Sequence, residues 1–156
     1  MRTELVISAN SDRADIALLE DGRLHELIKE KGDDSFSVGD VYLGTVRKIA
    51  TGLNAAFVDV GYEKDAFLHY HDLGPQIRTW SSYLKKTLKG KQQHTIANYP
   101  PEANIDKEGN IGDILTTGDQ ILVQITKEPI STKGPRITAE LSIAGRFVVL
   151  VPFSNR

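Results

Sequence analysis

The sequence predicts a mainly β protein whose centre is a small closed barrel, and three observations point there. Apolar and polar residues alternate in short runs over residues 41–49, 55–60, 65–70, 120–126 and 136–141, the period of half-buried strands. Turn-forming segments punctuate the runs: Thr51-Gly52-Leu53-Asn54, Gly61-Tyr62-Glu63-Lys64 and Gly118-Asp119. Strands at that spacing, with Gly-rich turns, favour a barrel over a parallel βαβ fold, and no internal repeat or heptad pattern competes.

Taken in order, residues 3–9 (TELVISA) and 14–19 (ADIALL) are apolar-rich segments separated by the turn cluster Asn10-Ser11-Asp12-Arg13. Asp21-Gly22 then marks a tight turn into Arg23–Glu30, so three strands form an antiparallel meander. Three strands bury little alone and need a partner surface. Residues 31–37 (KGDDSFS) read as a linker. The five barrel strands follow, interrupted at about residues 75–112 by an insertion rich in Lys, Gln, Asn and Pro. Within it Trp80, Tyr83, Leu84 and Leu88 fall at helical spacing and predict one short amphipathic helix on the barrel. Leu141 to Val151 reads as a buried strand, expected to pair with the opening meander in a sheet that lacks its later elements.

Composition narrows the function classes. The 156 residues include no cysteine, which removes disulfides, thiol catalysis and thiolate zinc sites. The four histidines, His25, His69, His71 and His94, are too scattered in sequence for a metal site. The longest apolar run, Phe147 to Val151, is far short of a membrane span. The opening MRTELVISAN lacks the basic and apolar regions of a signal peptide, so a cytoplasmic location is expected. The net charge of −2 is unevenly spread. Residues 1–35 hold nine acids and five bases, whereas 36–138 hold eleven acids and twelve bases. A local basic face on the barrel is therefore compatible with the acidic total.

Alternation selects the candidate site. In AAFVDV, Ala56, Val58 and Val60 share one face while Ala55, Phe57 and Asp59 share the other. In DAFLHY, Phe67 and His69 stand opposite Ala66, Leu68 and Tyr70. If the aliphatic faces point inward, Phe57 and Phe67 stand on the surface, where a nucleic-acid base stacked on each ring would contribute about 1–3 kcal/mol. On the residues alone, an ordinary core role for both rings is equally open. His69 lies beside Phe67 and could stack or donate to phosphate; His71 lies near the strand end. Lys127, Lys133 and Arg136 surround the turn between the fourth and fifth strands, where cations would meet phosphates. Weaker candidates for phosphate contact, Arg47, Lys48 and Lys64 read first as solvated charges. So does the run Lys85-Lys86-Thr87-Leu88-Lys89-Gly90-Lys91. Asp12, Asp15, Asp59 and Asp65 show no spacing of a two-metal nuclease pair, so no catalysis is expected of this segment and no cofactor in it.

The segments GDVYLGTVRKI, LNAAFVDVGYEKDAFLHYHDL, GDQILVQITKE and RITAELS together resemble the S1 domain, an OB-fold RNA-binding barrel, over about residues 38–141. With LVISANSDRADIALLEDGRLHEL before it and SIAGRFVVLVP after it, the whole chain resembles the N-terminal region of the ribonuclease E/G family of bacterial endoribonucleases. The resemblance implies an S1 domain at 36–140 inserted in a split RNase H-like subdomain, with its first part at 1–35 and a truncated return strand at 141–156. The long insertion points to the ribonuclease G branch. The resemblance also implies that Phe57, Phe67 and Lys133 contact single-stranded RNA. Gly145 and Val149 match part of that family's sensor for an RNA 5′ monophosphate, whose phosphate-gripping arginine and threonine lie beyond this chain. The implied parent is a longer homo-oligomeric enzyme of RNA processing and decay, using magnesium from downstream aspartates and zinc from a downstream cysteine pair. A free-standing OB-fold module of the translation machinery is the alternative reading of the same barrel.

Overall fold

A two-residue turn at Asp21-Gly22 opens the first folded unit to view. Both residues take left-handed φ values, 47° and 77°, the geometry whose twist matches a hairpin. The computed structural model describes residues 2–10, 12–31 and 36–154; most of the expected linker, residues 32–35, and part of the Asn10–Arg13 turn lie outside them. The chain divides into two compact units, 1–35 and 36–156.

In the first unit, β1 (Thr3–Ala9), β2 (Arg13–Glu20) and β3 (Arg23–Lys31) form the expected antiparallel meander in the order β1-β2-β3. Asn10 Oδ1 accepts the backbone N–H groups of Asp12 and Arg13, both at 2.9 Å, and closes the first turn. Ile7, Ile16 and Ile28 line up across the sheet. Leu5, Val6 and Ile7 on β1 and Leu24, Leu27 and Ile28 on β3 stay exposed, as expected of three strands that cannot cover their own faces.

The second unit is built on a closed five-stranded barrel, consistent with an OB fold, in the order β4-β5-β6-β8-β7. Its strands are β4 (Val41–Ala50), β5 (Ala55–Asp59), β6 (Ala66–His69), β7 (Gln120–Lys127) and β8 (Arg136–Thr138). All neighbours are antiparallel except β6 and β8, which meet in parallel at Phe67 and Arg136. Val46, Ala56, Val58, Ala66, Leu68, Ile121, Val123, Ile125 and Ile137 fill the interior. Gly44 lets β4 close on β5, because a Cβ there would lie 2.5 Å from Val58 Cγ1. The fifth strand is shorter than the sequence suggests. After Thr138 the chain turns from sheet pairing to Asp72, whose carbonyl accepts both the Thr138 hydroxyl and the Ala139 N–H at 2.8 Å.

The insertion contributes α1 (Ile77–Leu88), which buries Ile77, Thr79, Trp80 and Leu84. Leu88, expected on the buried stripe, is half exposed because the helix ends there, two residues before Gly90. Beyond it the chain is largely irregular and held by polar ties. Thr79 Oγ1 accepts the Glu102 N–H at 2.9 Å, and Tyr70 donates its hydroxyl to the Asp106 carbonyl at 2.8 Å. Asn54, with φ of 47°, donates to the Gly109 carbonyl and accepts from the Ile111 N–H, each at 2.7 Å.

Residues 141–151 depart from the single buried strand expected of them. They fold into a short hairpin, β9 (Ile143–Ala144) against β10 (Val149–Leu150). The Gly145 N–H bonds to the Val148 carbonyl at 2.8 Å, a turn too tight for one continuous strand. Ile143, Val148, Val149 and Leu150 are exposed, and Phe147 is 86% exposed. Among the described residues β1, β2 and β3 pair with one another and β9 pairs with β10. Both ends of the hairpin return to the barrel unit. Gln124 on β7 holds Ser142 through its side-chain amide, donating at 2.8 Å and accepting at 2.9 Å. Phe153 packs edge-on against Trp80 of α1, ring centroids 4.8 Å apart.

Candidate nucleic-acid interface

Five residues on five strands fall on one cross-strand line: Lys48, Phe57, Phe67, Arg136 and Lys127. Opposed residues on neighbouring strands share a face of the sheet, so the line is a strip of barrel surface. Its centre is aromatic. Phe57 and Phe67 are half-buried, with ring centroids 5.9 Å apart and planes tilted by 71°. Their strand neighbours Ala56, Val58, Ala66 and Leu68 are fully buried, which is the alternation the sequence implied. Ala55 is the exception. Expected outward beside Phe57, it is buried, because its small methyl sits in the ladder between Ala50 and His69.

Two β-bulges shape the ends of the strip. One falls between Val46 and Lys48, the other between Ile125 and Lys127. A bulge inserts one unpaired residue and re-aims the side chains beside it. Val46 and Ile125 point into the core, while Arg47, Lys48, Thr126 and Lys127 are all exposed. The arginines near the strip are tied to carboxylates. Arg136 donates to Asp72 Oδ2 from Nη2 at 2.9 Å and from Nε at 3.3 Å. Arg47 donates to Asp59 Oδ2, from Nε at 3.2 Å. The Gly61 N–H, and then Arg47, hold the Asp59 carboxyl below the usual carboxylate range.

His69 lies beside the strip, paired with Ala55. Its Nδ1 accepts the His71 N–H at 3.2 Å, and the two rings meet edge-on at 4.9 Å. His71 belongs to the turn after β6 rather than to the strand. Lys133 is exposed in the β7–β8 loop, where Ile130 bridges to Lys133 around Ser131 at φ 53°. That loop is pinned by Gly134, at which a Cβ would lie 2.2 Å from the Asp65 carbonyl oxygen. The structure thus gathers Phe57, Phe67, Arg136 and Lys127 on one line, with His69 next to it and Lys133 on the adjoining loop. The ion pairs, and the place of Lys48 on the line, depend on bulges and distant partners that strand periodicity does not reveal.

Other candidates separate from this strip. Gly145 is a hairpin turn residue and Val149, read as a buried strand residue, is 60% exposed. Of the insertion's lysines, Lys85 pairs with Asp119 at 3.8 Å and Lys86 lies over the Tyr99 ring at 4.9 Å. Among the described residues no three His, Asp or Glu side chains converge as a metal site. Asp59 is held by Arg47 and Asp15 by Arg13. No helix among the described residues is long and apolar enough to cross a membrane.

No family model matches the chain. Individual proteins do. It is 40% identical over 156 residues to a ribonuclease E/G-like protein of Porphyra purpurea, covering 99% of the chain and 25% of that protein. It is 32% identical over 149 residues to ribonuclease G of Haemophilus influenzae, covering 96% and 27%. Against ribonuclease G of Escherichia coli it is 29% identical over 152 residues, covering 97% and 27%. The chain spans about a quarter of the length of the curated relatives it matches.

Proposed function

Because this chain is related over its whole length to the ribonuclease E/G family, we propose that it is the RNA-holding front portion of an endoribonuclease that acts in RNA processing and decay. The observation that carries the reading is the Phe57–Phe67 pair, two half-exposed rings in register at the centre of a strip that ends in cations. A soluble surface gains nothing from leaving two adjacent rings partly in water unless something stacks on them. Bases do so with little regard to sequence, and the flanking cations bind the backbone that joins them. The ligand is single-stranded RNA, whose bases are free to splay onto a sheet. Cleavage, with magnesium and zinc, belongs to the rest of a longer cytoplasmic homo-oligomer in this proposal.

The test is fluorescence anisotropy with a labelled single-stranded RNA and its duplex form. The chain should bind the single strand preferentially, with an affinity that falls as salt rises. Equal binding of the duplex, or no loss in Phe57→Ala and Phe67→Ala chains that remain folded, overturns the reading.

A further inference from the structure

The sequence offers Lys48 as a weaker candidate among exposed charges, and the barrel gives that exposed charge a defined place. Lys48 opposes Phe57 directly in the β4–β5 ladder. It reaches that face because of the bulge after Val46, which sends two consecutive residues, Arg47 and Lys48, to the outside. The matching bulge on β7 does the same for Thr126 and Lys127 at the other end of the line. Each bulge thus leaves a cation on the outer face, one at either end of the line.

Charge occupancy separates the cations. Arg47 and Arg136 are engaged by Asp59 and Asp72. Lys48 and Lys127 have no acidic partner among the described residues. The two lysines also lie far apart around the barrel. Val41 pairs with Gln124, so the line that leaves β4 at Lys48 returns beside the opposite end of β4. It crosses four inter-strand gaps, about 19 Å at the usual strand spacing. That span suits about four nucleotides, the low end of site sizes for one OB fold.

We propose that Lys48 is a phosphate-binding residue at the β4 end of the strip, so that single-stranded RNA crosses the barrel strands from β4 to β7 with two bases on Phe57 and Phe67. This rests on the RNA-binding reading above and adds the course of the strand and its far anchor.

The experiment measures RNA affinity of the full chain against salt for Lys48→Gln, Lys48→Arg and, as a control for lost charge alone, Lys107→Gln. One phosphate contact to a single strand contributes about 0.7 to the log–log salt slope. Lys48→Gln should lose that increment, so that between about 50 and 200 mM salt the unmodified chain weakens about 2.6-fold more than the variant. Lys48→Arg should keep the slope, and Lys107→Gln should leave it unchanged. An unchanged slope in Lys48→Gln while Phe57→Ala still weakens binding overturns this inference and spares the RNA reading. An equal fall in Lys107→Gln also overturns it, since lost charge anywhere would then suffice. Failure of the unmodified chain to bind RNA overturns both.

Discussion

Asn54 reaches across 57 residues of sequence to accept the Ile111 N–H at 2.7 Å, and its amide donates to the Gly109 carbonyl at the same distance. One side chain therefore fastens the end of the insertion to the turn between β4 and β5. Asparagine suits the position because it tolerates the left-handed backbone found there, φ 47° and ψ 46°. Asn54→Ala should lower unfolding free energy by about 1–3 kcal/mol, since it strands two part-buried backbone groups. Asn54→Gly should recover only the backbone component. Urea midpoints for the three chains check the order.

Phe57→Ala and Phe67→Ala should each weaken RNA binding by about 1–3 kcal/mol. The rings touch edge to face, so the double variant should depart from the sum of the single losses by about 0.5 kcal/mol or more. Because both rings are half-buried rather than fully enclosed, the variants should stay folded. A double-mutant cycle on affinity, with circular dichroism for folding, measures both points.

How far the sequence carried this reading depends on how local each signal was. Phe57 and Phe67 were legible because period-2 alternation is a property of each strand alone, and Ala56, Val58, Ala66 and Leu68 bury as that period requires. The place of Lys48 opposite Phe57 was not legible, because a bulge is a mismatch between two strands and leaves no mark on either. Asp72 was missed as the partner of Arg136 because 64 residues separate them. Residues 141–151 misled for the opposite reason. An apolar run there suggests burial, yet burial needs a covering surface, and the hairpin leaves Phe147 and Val149 exposed.

Asp72 should restrain RNA binding. It occupies the Arg136 guanidinium in a part-exposed ion pair, and such pairs contribute about 0.2–1 kcal/mol. Asp72→Asn removes one repulsive charge and frees Arg136 for phosphate. Affinity should rise and the salt slope should steepen. Lys133→Ala should instead reduce the slope by about 0.7. Salt titrations of the two variants should therefore move in opposite directions.

Asp59 gives a pH dependence with a defined sign. Its carboxyl titrates below the ordinary range because the Gly61 N–H and Arg47 favour the charged form. The unfolded chain therefore takes up this proton first as pH falls. The stabilisation is complete above the unfolded value, about 3.9, and is lost as pH falls toward the lowered folded value. Asp59→Asn should make unfolding less steeply dependent on pH in that window and no different in slope near neutrality. Thermal melts from acid to neutral pH check it.

Gly134 should control the basic loop by space rather than by charge. A Cβ there would sit 2.2 Å from the Asp65 carbonyl oxygen and 2.8 Å from that of Lys64. Both obstacles are backbone, so no side-chain rotation relieves the clash. Gly134→Ala must push the β7–β8 loop away from the β5–β6 turn, and Lys133 moves with it, while Arg136 remains anchored to Asp72. RNA affinity should fall about as far as in Lys133→Ala, although no contacting side chain has changed. Unfolding free energy should fall by about 1–3 kcal/mol from the forced backbone shift. Combining the two substitutions separates the causes. If the loop positions Lys133, Gly134→Ala should cost little further affinity once Lys133 is alanine. A full additional loss would mean that the loop backbone itself meets the RNA.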